Sequence, residues 1–143
     1  MSNWTHVAGI IRIDDLRLDE EKSKKDFIKI FGKELHFNSS SKEWHRAKEH
    51  PEEYLPLGSE GSLEMSVWVN EDNSCMAAYT VSVFGDLRDH DNPQSIVDWF
   101  KKKCEQLWIR EQLWIRDATI TVRNEINGVV NWTYGIEAEG ETE

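Results

Sequence analysis

The period of the hydrophobic pattern switches repeatedly between two and about 3.6 along this chain, and the order of the switches limits the folds open to it. Residues 7–13, VAGIIRI, are apolar and β-branched and read as a strand that ends at Asp14-Asp15. Over 23–35, Phe27, Ile30, Phe31 and Leu35 recur at helical spacing, with Lys22, Lys25, Lys29 and Lys33 largely on the other side. The acidic lead-in Asp19-Glu20-Glu21 suits the positive end of that helix's dipole. In 63–70, Leu63, Met65, Val67 and Val69 share one face of a strand; a polar turn at 71–74 returns the chain through 76–85 as an antiparallel partner. Asn92 or Asp91 caps a second helix with Pro93 in its first turn, where Ile96, Phe100, Cys104 and Leu107 form a stripe widened by Val97 and Trp99. Residues 117–126 alternate Ala118, Ile120 and Val122 with Thr119, Thr121 and Arg123. Asn127-Gly128 is a two-residue hairpin signal, and Val130, Trp132, Tyr134 and Ile136 line the last strand.

The resulting order is β-α-β-β-α-β-β, an α+β class. It predicts an antiparallel sheet with two helices on one face, in a ferredoxin-like split β-α-β order, plus an extra C-terminal hairpin strand. The resemblance is one of topology only, and no family motif accompanies it. The 143 residues suit a single domain spanning 1–143. Within it, 36–62 reads as an irregular insertion, broken by Pro51, Pro56, Gly58 and Gly61 and carrying a capping box at Ser40 and Glu43. Residues 137–143 read as a flexible acidic tail.

A formal net charge of −10 sets the expected partners: an acidic surface repels nucleic acid and anionic lipid, and attracts basic proteins. The N-terminus has no apolar signal segment and no run is long enough to span a membrane, so a cytoplasmic location is expected. Cys75 and Cys104 have neither zinc nor redox spacing and are expected as free thiols.

One feature stands apart from this pattern. Residues 105–110 read EQLWIR, and 111–116 read EQLWIR again, an in-frame duplication, natural or engineered. Six residues leave a strand's facing unchanged, but turn a helix by about 600°, roughly 120° away from whole turns. The second copy is therefore expected to lead into the following strand. The first is expected to lengthen the helix or bulge out, bringing Trp108 and Ile109 to the surface. With Trp114 and Trp44, these are the candidate interaction residues among seven tryptophans, and an exposed Trp-Ile pair invites homo-oligomerisation through the repeat.

Chemistry-bearing motifs are sparse. Asp86, Asp89, His90 and Asp91 form a weak metal candidate whose spacing matches no EF-hand loop. His36, His45 and His50 lack the spacing of a zinc helix, and Asp14-Asp15 is a carboxylate pair at a strand end. No phosphate-binding glycine loop or nucleophile elbow is present, and no catalytic residue or cofactor is expected. The leading expectation is a non-enzymatic protein-interaction module, an acidic accessory or inhibitor protein of phage or mobile-element type. The inhibitor version uses the acids of 14–21, 86–91 and 137–143 against a basic nucleic-acid site on its partner. The alternatives are a small-ligand-binding domain or metal-dependent enzyme, and an RNA-binding domain displaying Trp68, Tyr79 and Trp132 on its sheet.

Overall fold

The computed structural model describes residues 2–14, 20–36, 38–69, 79–90, 92–111 and 113–135. Its described elements are β1 (Trp4–Asp14), α1 (Glu20–Phe31), α2 (Ser41–Glu49), a one-turn 3-10 helix (Pro51–Glu53), β2 (Glu64–Val69), β3 (Tyr79–Arg88), α3 (Pro93–Glu111), β4 (Trp114–Asn124) and β5 (Gly128–Thr133). The five strands form one sheet in the order β2-β3-β1-β4-β5, and every neighbouring pair is antiparallel. This is the α+β class that the periodicity predicts. The connection through α1 leaves β1 and skips over β3 to β2. The connection through α3 leaves β3 and skips over β1 to β4. Nothing in the pairing conflicts with the split β-α-β order, and β5 extends the sheet beyond it.

Alternation decides what is buried. In β1, Val7, Ile11 and Ile13 point inward and Ala8, Ile10 and Arg12 outward. Phe27, Ile30 and Phe31 of α1 and Ile96, Val97, Phe100, Cys104 and Leu107 of α3 join Val7, Ile11, Ile13, Val81, Val83, Ile120 and Val122 in one core. Both helices therefore lie on the same face. Each large side chain fully withdrawn from water there contributes about 1.5–3 kcal/mol. A Cβ on Gly9 would sit 3.1 Å from the Phe100 ring and 3.2 Å from Ile120, so a side chain at this position would force those neighbours to give by a few tenths of an ångström where α3 packs on the sheet.

Several boundaries differ from the expectation, β1 beginning at Trp4 and β4 at Trp114, and two of the differences bear on the sites below. The first helix ends at Phe31, not Leu35, because Gly32 adopts φ +112 while its N–H still donates to the Ile28 carbonyl at 2.8 Å. Leu35, freed from the helix, joins Ala47 and Tyr54 in a second small core, against which Trp44 and Leu57 pack. β3 continues to Arg88, so Asp86 lies within a strand rather than a loop. The 36–62 insertion is more ordered than its composition suggests: Ser40 Oγ accepts the Glu43 N–H at 3.2 Å and starts α2.

Candidate functional site

Because β2 is an outer strand, one of its edges has no strand partner among the described residues. The Met65 N–H points along that edge and donates to Glu34 Oε1 at 2.9 Å. Antiparallel ladders alternate, so Val67 presents its N–H and carbonyl in the same outward direction. The last turn of α1 and the chain just beyond it face this edge across a cleft of about 500 Å³, lined by Ile28, Gly32, Lys33, Glu34, Met65, Ser66 and Val67. The sharp turn at Gly32 forms its floor. A Cβ there would fall 2.6 Å from the Tyr54 carbonyl carbon, and Lys33 pairs with Tyr54 in a short parallel bridge that fixes the turn. Apolar walls come from Ile28, Met65 and Val67. The polar groups are the β2 backbone at Ser66, the Glu34 carboxylate and the exposed Lys33, whose ammonium lies 6.0 Å from the Tyr54 ring centroid. The combination of apolar walls and a few convergent polar groups is that of a small-molecule site.

The opposite face of the sheet is uncovered by any described helix. Cross-strand rows place Ile10 beside Ser82 and Thr119, and Phe84 beside Glu64 and Ala8. Ile10, Phe84 and Trp68 are exposed on it. At one end of this face His6 stands between two carboxylates, with Nδ1 2.6 Å from Asp86 Oδ1 and Nε2 3.0 Å from Glu125 Oε2. Glu125 also accepts the Trp4 N–H at 3.1 Å. The hydrogen bond to Asp86, then that to Glu125, raises the imidazole's pKa above its ordinary 6.5. The hydrogen bond from His6, then that from the Trp4 N–H, lowers the Glu125 carboxyl below its ordinary 4.5. The ring separates the carboxylates, which approach its two nitrogens from opposite sides. The arrangement favours the protonated ring, and the two carboxylates do not converge as a metal seat would require.

The residues singled out from the sequence mostly scatter. Asp86 is engaged by His6, and Asp89 Oδ2 accepts the Ser59 hydroxyl at 2.9 Å. The His90 carbonyl accepts from Thr5 Oγ1 and, at 3.3 Å, from Asn124 Nδ2. Asp91 lies outside the described residues, and no metal-holding group of three is present among those described. His36, His45 and His50 each pair with a nearby glutamate on the surface. Asp14 is clamped by Arg116, with Nη2 2.8 Å from Oδ2, and Asp15 lies outside the described residues. Cys104 is buried and free, and burial pushes its thiol up to about 12; Cys75 lies outside the described residues. Of the three proposed stacking aromatics only Trp68 faces outward. Tyr79 is buried edge-on against Phe27, and Trp132 packs on Phe100 beneath Lys101, so these two do not reach the open face. Among the described residues, no helix is long and apolar enough to cross a membrane.

The repeat adopts two structures from one sequence. The first copy is the end of α3, while the second, from Trp114 onward, is β4. Leu107 and Leu113 are both buried, Trp108 and Trp114 both exposed, and the two indoles meet edge to face at 5.6 Å. The Leu113 N–H donates to the Leu107 carbonyl at 3.1 Å, tying the second copy back onto the helix. Ile109 lies in the final turns of α3, and its side chain is outside the described ones. Trp44 is half-buried in the second core.

No family model matches the chain, and no curated protein matches it. A solved structure, a phage SAM lyase in complex with S-methyl-5'-thioadenosine, is similar over 91% of this chain and 89% of that one, with 9% identity and a TM-score of 0.41. Against the expectation of a non-enzymatic interaction module or inhibitor, the protein that this chain is similar to is a lyase. The sparse motifs on which that expectation rested do not argue against catalysis, since chemistry is set by a site's geometry and not by short sequence signatures. The likeness is a weak one of fold, and assigns this chain neither reaction nor substrate.

Proposed function

We propose that this protein is a small-ligand-binding domain whose site is the cleft between the C-terminal end of α1 and the outer edge of β2. The observation that carries the reading is the cleft itself: its volume of about 500 Å³ falls within the roughly 300–1,000 Å³ usual for small-molecule sites. Its lining selects the ligand's chemistry. Ile28, Met65 and Val67 accept an apolar body, and Lys33 at the rim accepts an anionic group. The outward N–H and carbonyl of Val67 add directional contacts from a rigid strand.

Octanoate, with one carboxylate and a short apolar chain, is the test probe. Thermal unfolding with increasing octanoate is expected to show a saturable rise in Tm. Lys33→Ala weakens the response, and Val67→Trp, which fills the cleft, removes it. An unchanged response in both variants places the binding elsewhere and overturns the reading.

A further inference from the structure

An unprotected outer strand is a template for another strand, and proteins blunt such edges with prolines, bulges, inward charges or covering segments. The β2 sequence, EMSVWV, has no proline and no lysine, and its register with β3 is unbroken. Its protection comes from Glu34, whose Oε1 takes the Met65 N–H at 2.9 Å. That oxygen stands where the carbonyl of an added strand would be. Glu34 Oε2 lies 3.4 Å from His36 Nε2, so the side chain is held from behind. The groove beyond is bounded by a helix on one side and a strand edge on the other, the geometry in which extended peptides add to sheets.

The charge around the groove selects among peptides. Lys25, Ile28, Lys29 and Gly32 fall at i, i+3, i+4 and i+7, one face of α1. Ile28 and Gly32 line the cleft, so the exposed Lys25 and Lys29 flank it, and Lys33 continues the basic row past the helix end. On a chain of net charge −10 this is a local basic rim beside an apolar slot.

We infer that the ligand class of this cleft is an extended acidic peptide segment, which adds to β2 as a sixth strand, displaces the Glu34 carboxylate from Met65, and sets alternate apolar side chains against Ile28 and Val67. The inference deepens the ligand-binding reading above and rests on it. Main-chain bonds to the edge supply the register, and Lys25, Lys29 and Lys33 supply the preference for acidic residues.

The experiment uses the full chain and an N-acetylated, C-amidated, fluorescein-labelled peptide alternating valine with glutamate. Its lysine-valine counterpart serves as control, and anisotropy is the readout. The acidic peptide is expected to bind and the basic one not, with affinity falling as salt is raised. Lys33→Glu weakens binding by about two- to fivefold, the scale of an exposed ion pair. Val67→Pro removes an outward N–H without breaking a bond to β3 and weakens binding by about tenfold. Glu34→Ala removes the competing carboxylate and tightens binding by about threefold. Equal binding of both peptides, or an unaffected Val67→Pro variant, overturns the inference. So does concentration-dependent dimerisation of Glu34→Ala without peptide capture, which would make a second copy the occupant. If octanoate still binds while neither peptide does, the cleft remains a ligand site and only the peptide assignment falls. If neither class binds, both fall.

Discussion

Leu107 and Leu113 occupy the same place in the two copies of EQLWIR, one in a helix and the other where the chain enters a strand, and both are buried in the main core. Leu→Ala at either site removes three carbons from a close-packed interior. At about 0.8 kcal/mol per methylene this is a transfer loss of roughly 2.4 kcal/mol, and the unfilled cavity raises the total to about 3–5 kcal/mol. For a domain of this size, where 1 kcal/mol is worth about 3–4 °C, each variant is expected to melt about 9–20 °C below the parent. The neighbouring Trp108 and Trp114 are 52% and 60% exposed and touch mainly one another. An aromatic pair of this kind is worth about 0.5–1.5 kcal/mol, so Trp108→Ala and Trp114→Ala should each lower Tm by only a few degrees. The assay is urea and thermal unfolding followed by far-UV circular dichroism. A Leu107→Ala variant that melts with the parent, while Leu113→Ala falls as expected, would refute the view that both copies are anchored. It would leave the first copy as a passive helical extension.

Three further outcomes follow from other parts of the molecule. His6 has a raised pKa and Glu125 a lowered one, so the imidazolium's contribution is complete below 6.5 and is lost as pH rises through the raised value. The carboxylate's contribution is present above 4.5 and is lost as pH falls through the lowered value. His6→Ala should therefore destabilise most between about pH 5 and 6.5 and scarcely at pH 9, a profile that thermal melts across pH will show or contradict. In a Cys75→Ser background, Cys104, with its thiol pushed up to about 12, should resist iodoacetamide in the native state and react once urea unfolds the chain. Gly32→Ala places a Cβ 2.6 Å from backbone at a positive φ, and should cost more than about 1 kcal/mol in urea titrations.

The fold was largely legible because its signals are local. Period-two runs and the Pro93 helix start each report on a few neighbouring residues, and together they leave few sheet orders open. The Asn127-Gly128 signal found the right hairpin but the wrong loop, which is the three residues 125–127 with Gly128 already paired to Asn124. The end of α1 was misread because Leu35 continues the helical spacing while the φ of Gly32 breaks it. Spacing alone does not distinguish a core residue of the helix from one packed in a separate cluster. The candidate site was not legible at all. Its two walls, residues 28–34 and 65–67, are distant in sequence, and its character comes from β2 lying at the sheet's edge. Likewise His6 meets Asp86 and Glu125 from 80 and 119 residues away, through strand register that no motif records. The exposure of Trp108 was inferable from the helical phase of the insertion. Trp114, also singled out as an interaction candidate, is exposed for a reason no pattern records: its facing depends on the shift in pairing register between Arg12 and Ile13.

The most direct measurement is an amide ¹H–¹⁵N spectrum of the isotope-labelled chain titrated with octanoate. Saturable shifts centred on Ile28, Gly32 to Glu34 and Met65 to Val67 are the expected result. Shifts centred on His6, Asp86 and Glu125, or on the open sheet face around Ile10 and Phe84, would contradict a site between α1 and β2.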